Sequence, residues 1–141
     1  MKVSVRRVLL VLVVLSAAGA CAATYLYLQF VAVRERATYR NVSAREAKVM
    51  IDCTLSLLIL DVSSEGEYAQ GHLKGAVNIP ISDLSRRMNE LDVNSPILVY
   101  CRTGRRSAQA CSALAECGFT RVYNMEGGLL AWIDSGYPVE T

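Results

Sequence analysis

The sequence predicts an α/β protein in which a central parallel sheet carries helices on both faces and is preceded by one transmembrane helix. Two observations predict the sheet. Over residues 38–141, short apolar runs alternate with segments of helical periodicity, and no tight hairpin turn joins successive apolar runs. Strands separated by helices run parallel, and a parallel sheet is covered on both faces. A third observation, a long uncharged stretch near the N-terminus, predicts the transmembrane helix.

The composition allows one ordinary domain and an appendage. The chain has 141 residues, of which 52% are hydrophobic and 20% charged, and its net charge is +2. This basic excess is too slight for a nucleic-acid-binding surface, so we expect no nucleic-acid partner. The five cysteines are odd in number and include no C-x-x-C pair, which argues against a disulfide framework and a tetrahedral zinc site. We therefore expect one reactive thiol, no metal and no cofactor.

The N-terminal stretch Val8–Val33 contains no charged residue and is flanked by basic residues on both sides. As an α-helix it would extend about 39 Å, more than the roughly 30 Å of bilayer hydrocarbon. We predict that residues 1–37 form a single-pass membrane anchor and linker, and that residues 38–141 form the second domain. The basic start favours a position outside the cytoplasm for that domain, although the positive charges at the two ends nearly balance.

A cleaved signal peptide and a buried soluble helix remain alternatives for this stretch. Cleavage would leave an apolar stub, YLYLQFVAV, without a packing partner. A lipid-anchored form with an acylated Cys21 matches less well, because Ala18 stands where a leucine is usual.

The first half of the second domain predicts helix, strand, helix, strand and helix. Two of these helices begin at a serine followed three residues later by a glutamate, which is the capping box; the pairs are Ser43 with Glu46, and Ser64 with Glu67. The first strand is a continuous apolar run, as expected for a strand buried on both faces. In chain order the five elements cover residues 44–52, 57–61, 64–71, 76–79 and 81–91.

The second half repeats the alternation of strands and helices. An apolar run is followed by a helical segment that a glycine ends, then by a short strand and a last helix before Gly136 and Pro138. These four elements cover residues 96–100, 107–117, 121–123 and 129–134.

One stretch, VYCRTGRRSAQA at 99–110, carries the candidate chemistry. Cys101 stands where a predicted strand ends and a helix begins, and ligands of parallel sheets bind at that edge. Free N–H groups and the dipole of the helix start stabilise a thiolate, so we expect a depressed pKa for Cys101. The stretch therefore predicts a nucleophile, Cys101, inside an anion cradle made of Arg102, Thr103, Gly104, Arg105 and Arg106. Cys53, Cys111 and Cys117 lack this setting, and we expect no chemical role for them.

Three stretches together resemble a known family: ILVYCRTGRRS around Cys101, LDVSSEGEYAQGHLKGAVNIP before it and NMEGGLLAWIDSGYPV after it. In this order and spacing they resemble a single rhodanese domain over about residues 38–141. The resemblance implies a sulfurtransferase that takes a sulfane sulfur from thiosulfate or a related small anionic donor and holds it as a persulfide on Cys101. The sulfur then passes to a thiophilic acceptor such as a thiol or cyanide, and a protein acceptor is open as well. In this interpretation the backbone of residues 102–106 forms the cradle.

The resemblance also assigns structural roles to residues that invite catalytic ones. His72, the only histidine, lies in a structural turn of such domains and is not expected to be a general base. Asp61 and Glu67 are expected to fix turns through hydrogen bonds, and Trp132 to pack the last helix onto the sheet. Ser63 departs from the family pattern, which commonly has arginine there; the departure removes a buried ion pair.

Two other classes share this fold or these motifs. Cell-cycle dual-specificity phosphatases and some arsenate reductases share the fold. Those phosphatases use a longer loop between cysteine and arginine and usually have a histidine before the cysteine. Here four residues, Arg102–Arg105, separate Cys101 from Arg106, and Tyr100 precedes the cysteine. A loop of this length is expected to be too tight for phosphate and to admit a terminal sulfur. A non-catalytic scaffold or persulfide-binding module is the remaining alternative.

Overall fold

The computed structural model describes Tyr25, Tyr27, Leu28 and residues 38–141. The chain divides into two units, Met1–Arg36 and Ala37–Thr141. In the first, the three described residues are helical and exposed. The rest of the predicted anchor, Val8–Val33, lies outside the described residues. Among the residues that are described, no helix is long and apolar enough to span a bilayer. The anchor therefore stays a prediction.

The second unit is built on a sheet of five parallel strands, counted over residues 38–141. The spatial order is β1-β5-β4-β2-β3, so β4 is the central strand. All four residues of β4 are buried, and three of the four residues of β2, the strand predicted to be buried on both faces, are buried as well. The strands are β1 (Arg40–Val42), β2 (Leu58–Asp61), β3 (Val77–Asn78), β4 (Ile97–Tyr100) and β5 (Val122–Met125).

Helices cover both faces of the sheet, which confirms the predicted architecture. One buried cluster joins α3 and α4 to alternate residues of β2 and β4, and a second joins α1 and α5 to the opposite face. Trp132 of α5 is 4% exposed and packs in the second cluster, as predicted. The helices are α1 (Ala44–Cys53), α2 (Glu65–Gln70), α3 (Ile81–Arg87), α4 (Arg105–Glu116) and α5 (Gly128–Asp134).

Both predicted capping boxes are present. The side chain of Ser43 accepts a hydrogen bond from the Glu46 N–H, and Glu46 accepts one from the Ser43 N–H; Ser64 and Glu67 repeat the arrangement. These pairs satisfy N–H groups that a helix start leaves free, so α1 and α2 begin at the residues their sequences predict.

The structure corrects the predicted elements in three places. The sequence predicts no strand before α1, but Arg40–Val42 forms an edge strand paired with β5. The helix predicted over 81–91 ends at Arg87 and continues as a 3₁₀ turn over Met88–Glu90. The helix predicted from Ser107 begins instead at Arg105, directly after Gly104, whose φ of 85° is left-handed. The first turn of α4 therefore lies closer to Cys101 than the sequence predicts.

Candidate active site

Cys101 follows the last residue of β4, at the carboxyl end of the central strand. Because β2 and β5 flank β4, the thiol lies in the middle of the sheet edge where open parallel sheets bind their ligands. Its residue is fully buried and belongs to the cluster on the α3 and α4 side. The predicted position at a junction between strand and helix is confirmed.

Main-chain N–H groups converge on the Cys101 sulfur. The Gly104 N–H donates a hydrogen bond to Sγ at 3.2 Å. Burial raises the pKa of the Cys101 thiol, but hydrogen bonds from the N–H groups of Ser107, Thr103 and Gly104 outweigh burial and hold the pKa below its usual value. The site therefore favours a thiolate even though no part of the residue is open to solvent.

The Ser107 hydroxyl is committed to a second network. It is buried and donates to Asn124 Oδ1 at 2.7 Å, and Asn124 Nδ2 donates to Asn41 Oδ1 at 3.0 Å. A hydroxyl has one proton to donate. The hydroxyl also faces the Cys101 sulfur, but its one proton is donated to Asn124. We therefore assign the lowering of the Cys101 pKa mainly to main-chain N–H groups and the Ser107 hydroxyl to anchoring α4 against β5.

Arg106 is held by Glu67 of α2. Its Nη1 lies 2.6 Å from Glu67 Oε2 and its Nη2 lies 2.7 Å from Oε1, a bidentate geometry between two partly buried side chains. The guanidinium of Arg106 holds the pKa of Glu67 at about 2, and Glu67 in turn raises the pKa of Arg106. The guanidinium also interacts with the Cys101 sulfur. The ion pair therefore places one fixed cation beside the thiol.

Arg102 and Arg105 differ from Arg106. Both are exposed, and within residues 38–141 neither takes part in an ion pair. Of the three arginines predicted to attract an anion, these two are thus free to meet one from solvent. Thr103 is exposed between them.

The turn after β5, which contains Gly127 and Gly128, supports the main chain of the Cys101 loop. The N–H of Leu129 donates to the Cys101 carbonyl at 2.8 Å, and the N–H of Leu130 donates to the Arg102 carbonyl at 3.1 Å. A Cβ added at Gly128 would lie 2.1 Å from the Cys101 carbonyl oxygen, so only glycine fits there. The sequence analysis predicted no role for this residue, and the signal that could have found it was the doubled glycine one residue after β5.

A close approach also fixes the loop glycine. A Cβ at Gly104 would lie 2.9 Å from the Gly127 nitrogen, and its φ of 85° is one that glycine adopts without strain. The cradle and the turn before α5 therefore pack backbone against backbone.

The residues predicted to fix turns do so. Asp61 Oδ1 accepts a hydrogen bond from the Ser63 N–H at 2.8 Å. Asn78 Nδ2 donates to the Asp61 and Ser63 carbonyls, both at 3.0 Å. Ser63, at the position where the family commonly has arginine, is 3% exposed and fits this turn without a charged side chain.

His72 occupies a structural turn, as predicted. Its ring stacks on Tyr68 with centroids 3.9 Å apart, and its Nδ1 lies 3.0 Å from the Tyr68 carbonyl oxygen. Its main chain pairs with Glu140 through two hydrogen bonds of 2.8 Å. These contacts tie the residue to α2 and to the C-terminal segment.

The other described cysteines lack the surroundings of Cys101. All four in the described part of the chain are free thiols. Cys111 is buried, and burial raises its pKa to about 12, whereas Cys53 and Cys117 are exposed. Cys101 differs from them because main-chain N–H groups donate hydrogen bonds to its sulfur and lower its pKa.

Comparison with known proteins assigns the family. The sequence profile of the rhodanese-like domain matches residues 43–135. A sulfurtransferase of Allochromatium vinosum is 37% identical over 86 residues, which cover 61% of this chain and 80% of that protein. The thiosulfate sulfurtransferase GlpE of Actinobacillus pleuropneumoniae is 31% identical over 104 residues, which cover 74% of this chain and 95% of that protein.

The fold agrees with the sequence matches. The crystal structure of a rhodanese-related protein from Thermoplasma volcanium superposes with a TM-score of 0.67 at 33% identity, over 72% of this chain and 98% of that one. The sequence profile covers strands β2 to β5 and the loop around Cys101. The chain belongs to the rhodanese-like domain family.

Proposed function

We propose that the protein is a sulfurtransferase that moves a sulfane sulfur from thiosulfate or a related anionic donor to a thiophilic acceptor through a persulfide on Cys101. The observation that carries the proposal is the convergence of main-chain N–H groups on the Cys101 sulfur, which lowers the pKa of the thiol. The names of the relatives, sulfurtransferase and thiosulfate sulfurtransferase, support the same chemistry.

In the first step the Cys101 thiolate attacks the outer sulfur of thiosulfate. A bond forms between the two sulfurs, the bond between the outer sulfur and the sulfonate sulfur breaks, and sulfite leaves with that electron pair. The exposed cations Arg102 and Arg105 attract the dianion to the loop. The N–H groups of Thr103, Gly104 and Ser107 then surround the negative charge of the persulfide.

In the second step the acceptor attacks the outer sulfur of the persulfide. With cyanide, a bond between carbon and sulfur forms, the bond between the two sulfurs breaks, and Cys101 leaves as a thiolate with thiocyanate as product. The same surroundings that lowered the pKa of Cys101 make it a good leaving group. The cycle therefore needs no metal or redox cofactor.

The length of the loop supports sulfur chemistry over phosphate chemistry. Four residues separate Cys101 from Arg106, and Arg106 is bound to Glu67 by two hydrogen bonds. A phosphate monoester needs donors on several oxygens, whereas a terminal sulfur needs a single small pocket of N–H groups. We therefore assign the loop to a sulfane sulfur.

We also propose that residues 8–33 anchor the protein in a membrane, with the domain at 38–141 outside the cytoplasm. The uncharged stretch supports the anchor, and the basic residues that precede it support the orientation. A reporter fused after Thr141 that is active outside the cytoplasm supports it, and one active only in the cytosol overturns it.

The test of the activity is direct. The purified full-length chain, incubated with thiosulfate, gains the mass of one sulfur atom on the peptide containing Cys101 and releases thiocyanate when cyanide is added. Cys101→Ser abolishes both, while the matched variant Cys117→Ser, at an exposed thiol, retains both. Full turnover by Cys101→Ser overturns the assignment. Hydrolysis of an aryl phosphate without sulfur transfer assigns the loop to phosphatase chemistry instead.

A further inference from the structure

An exposed surface of mixed character borders the Cys101 loop. We call it the rim surface and define it by Arg102, Arg105, Leu130 and Ile133. The first two residues belong to the loop and the start of α4, and the last two to α5. Leu130 is 41% exposed and Ile133 is 47% exposed. Two large exposed apolar side chains and two exposed cations without an ion-pair partner in residues 38–141 thus belong to segments that a main-chain hydrogen bond joins.

The backbone fixes the apolar half of this surface against the loop. The Leu130 N–H donates to the Arg102 carbonyl at 3.1 Å, so the backbone of Leu130 is in direct contact with the loop. Ile133 follows three residues later on the same helix, and residues at this spacing lie side by side on one face. The apolar strip therefore runs from the edge of the loop along α5.

The reactions with thiosulfate and cyanide do not explain why the apolar strip is exposed beside the loop. Both reagents are small hydrophilic ions, and they gain nothing from contact with Leu130 or Ile133. An acceptor that covers the strip removes apolar surface from water and gains affinity from it. The strip therefore points to an acceptor larger than a small ion.

Charge indicates what else that acceptor carries. Arg102 and Arg105 have no ion-pair partner within residues 38–141, and the cation nearest the sulfur, Arg106, is already paired with Glu67. Exposed carboxylates of Glu126 and Asp134 flank α5 at its two ends, outside the loop. The carboxylates of an acidic acceptor therefore meet the two free arginines at the loop, and its apolar side chains cover α5 between these two acids.

We propose that the rim surface docks a protein or peptide thiol flanked by apolar side chains and carboxylates, and that this thiol is the acceptor of the sulfur held on Cys101. The proposal rests on the sulfurtransferase function proposed above. The acceptor thiolate attacks the outer sulfur of the persulfide anion, as cyanide does. A new bond between two sulfurs forms on the acceptor, the bond to Cys101 breaks, and its electron pair stays on Cys101 as a thiolate.

Designed peptides test the proposal on the full-length protein. Cys101 is first loaded with sulfur from thiosulfate, and kcat/KM is measured for three pentapeptides with a central cysteine. The first has leucines beside the cysteine and glutamates at its ends; the second replaces the leucines by serines; the third replaces the glutamates by lysines. We expect the first peptide to react fastest, and each replacement to lower kcat/KM about fivefold. The loss caused by lysine shrinks at high salt.

Variants locate the preference on the rim surface. The rate with the first peptide is divided by the rate with cyanide on the same protein, so that any change in the sulfur chemistry cancels. Leu130→Ser lowers this ratio about fivefold, and the double variant with Ile133→Ser lowers it further. Val49→Ser, at an exposed apolar residue of α1, leaves the ratio unchanged and is the matched control.

The outcomes distinguish failure of the docking proposal from failure of the sulfurtransferase function. If thiocyanate forms but the three peptides react within twofold of one another, the docking proposal is overturned and the sulfurtransferase function stands. If the peptides differ but Leu130→Ser and Val49→Ser behave alike, the preference lies elsewhere and the rim surface is overturned. If neither persulfide nor thiocyanate forms, both proposals are overturned.

Discussion

Glu67 and Arg106 lie 39 residues apart in the sequence and form a bidentate ion pair beside the Cys101 sulfur. Glu67 has a second task, because its carboxylate also accepts hydrogen bonds from the N–H and hydroxyl of Ser64 at the start of α2. One side chain thus caps the start of a helix and fixes the orientation of a cation beside the thiol. The pair links the stability of the domain to the geometry of its candidate site.

This pair makes stability depend on pH in acid. Arg106 lowers the pKa of Glu67 from its ordinary 4.5 to about 2 in the folded chain. A carboxyl group with a depressed folded pKa stabilises the fold above its unfolded pKa and loses that contribution as the pH falls through the folded pKa. We expect the Glu67 contribution, about 1–2 kcal/mol after discounting for solvent screening, to disappear between pH 4.5 and about 2.

Urea unfolding at a series of pH values measures this contribution. Glu67→Gln lowers the free energy of unfolding at neutral pH and flattens its fall in acid. Glu65→Gln, at an exposed glutamate of the same helix, is the control and keeps the pH profile of the natural chain. Identical acid profiles for Glu67→Gln and the natural chain contradict the assigned role.

The contact between Gly128 and the Cys101 carbonyl predicts a large effect of one methyl group. Gly128→Ala places a Cβ 2.1 Å from that oxygen, so the turn before α5 must move. We expect the free energy of unfolding to fall by about 3–5 kcal/mol and the sulfur transfer to be lost. Gly136→Ala, where φ is also positive but the added Cβ meets nothing within 4 Å, costs about 1 kcal/mol. Equal losses in the two variants would refute the close contact.

The Ser107 hydroxyl and the Ser107 N–H are expected to have separable roles. Ser107→Ala removes the donor to Asn124 and leaves a buried amide oxygen unpaired, which costs about 1–2 kcal/mol of stability. The main-chain N–H groups remain, so the pKa of Cys101 stays below its ordinary value. Ser112→Ala, at an exposed position of the same helix, changes neither quantity. A return of the Cys101 pKa to its ordinary value in Ser107→Ala would show that the hydroxyl stabilises the thiolate.

Arg102 and Arg105 are expected to act on binding of the donor. Replacing either by glutamine raises KM for thiosulfate about three- to tenfold and changes kcat little, because the lost interaction is a long-range attraction. The effect weakens with added salt. Arg45→Gln, at another exposed arginine without an ion pair in the described residues, leaves the kinetics unchanged. A loss in kcat at unchanged KM would place these side chains in the reaction step instead.

Local signals made most of the fold predictable. Capping boxes and apolar runs are properties of a few consecutive residues, and α1, α2, β2 and β4 lie where those signals placed them. Strand β1 was missed because three residues carry no periodic pattern and the strand exists through pairing with β5, far along the chain. The early start of α4 depends on the left-handed φ of Gly104, which the sequence permits but does not require.

The candidate site likewise combines a residue that the local sequence identifies with contacts that only the fold creates. Cys101 is identifiable because a strand end and a helix start are both local features. The pairing of Glu67 with Arg106, and the support of Cys101 by Gly128, join segments that only the folded sheet brings together. The sequence therefore predicts three arginines facing an anion, whereas the structure pairs one of them and leaves two exposed.

Titration of the Cys101 thiol tests the central claim most directly. The ultraviolet absorbance of the thiolate is followed against pH for the natural chain and for Cys101→Ser, and the difference isolates one sulfur. Burial opposes ionisation, and the N–H groups of the loop more than offset it. We therefore predict a midpoint clearly below the value of about 8.5 that is usual for a free cysteine. A midpoint at or above that value would contradict the account.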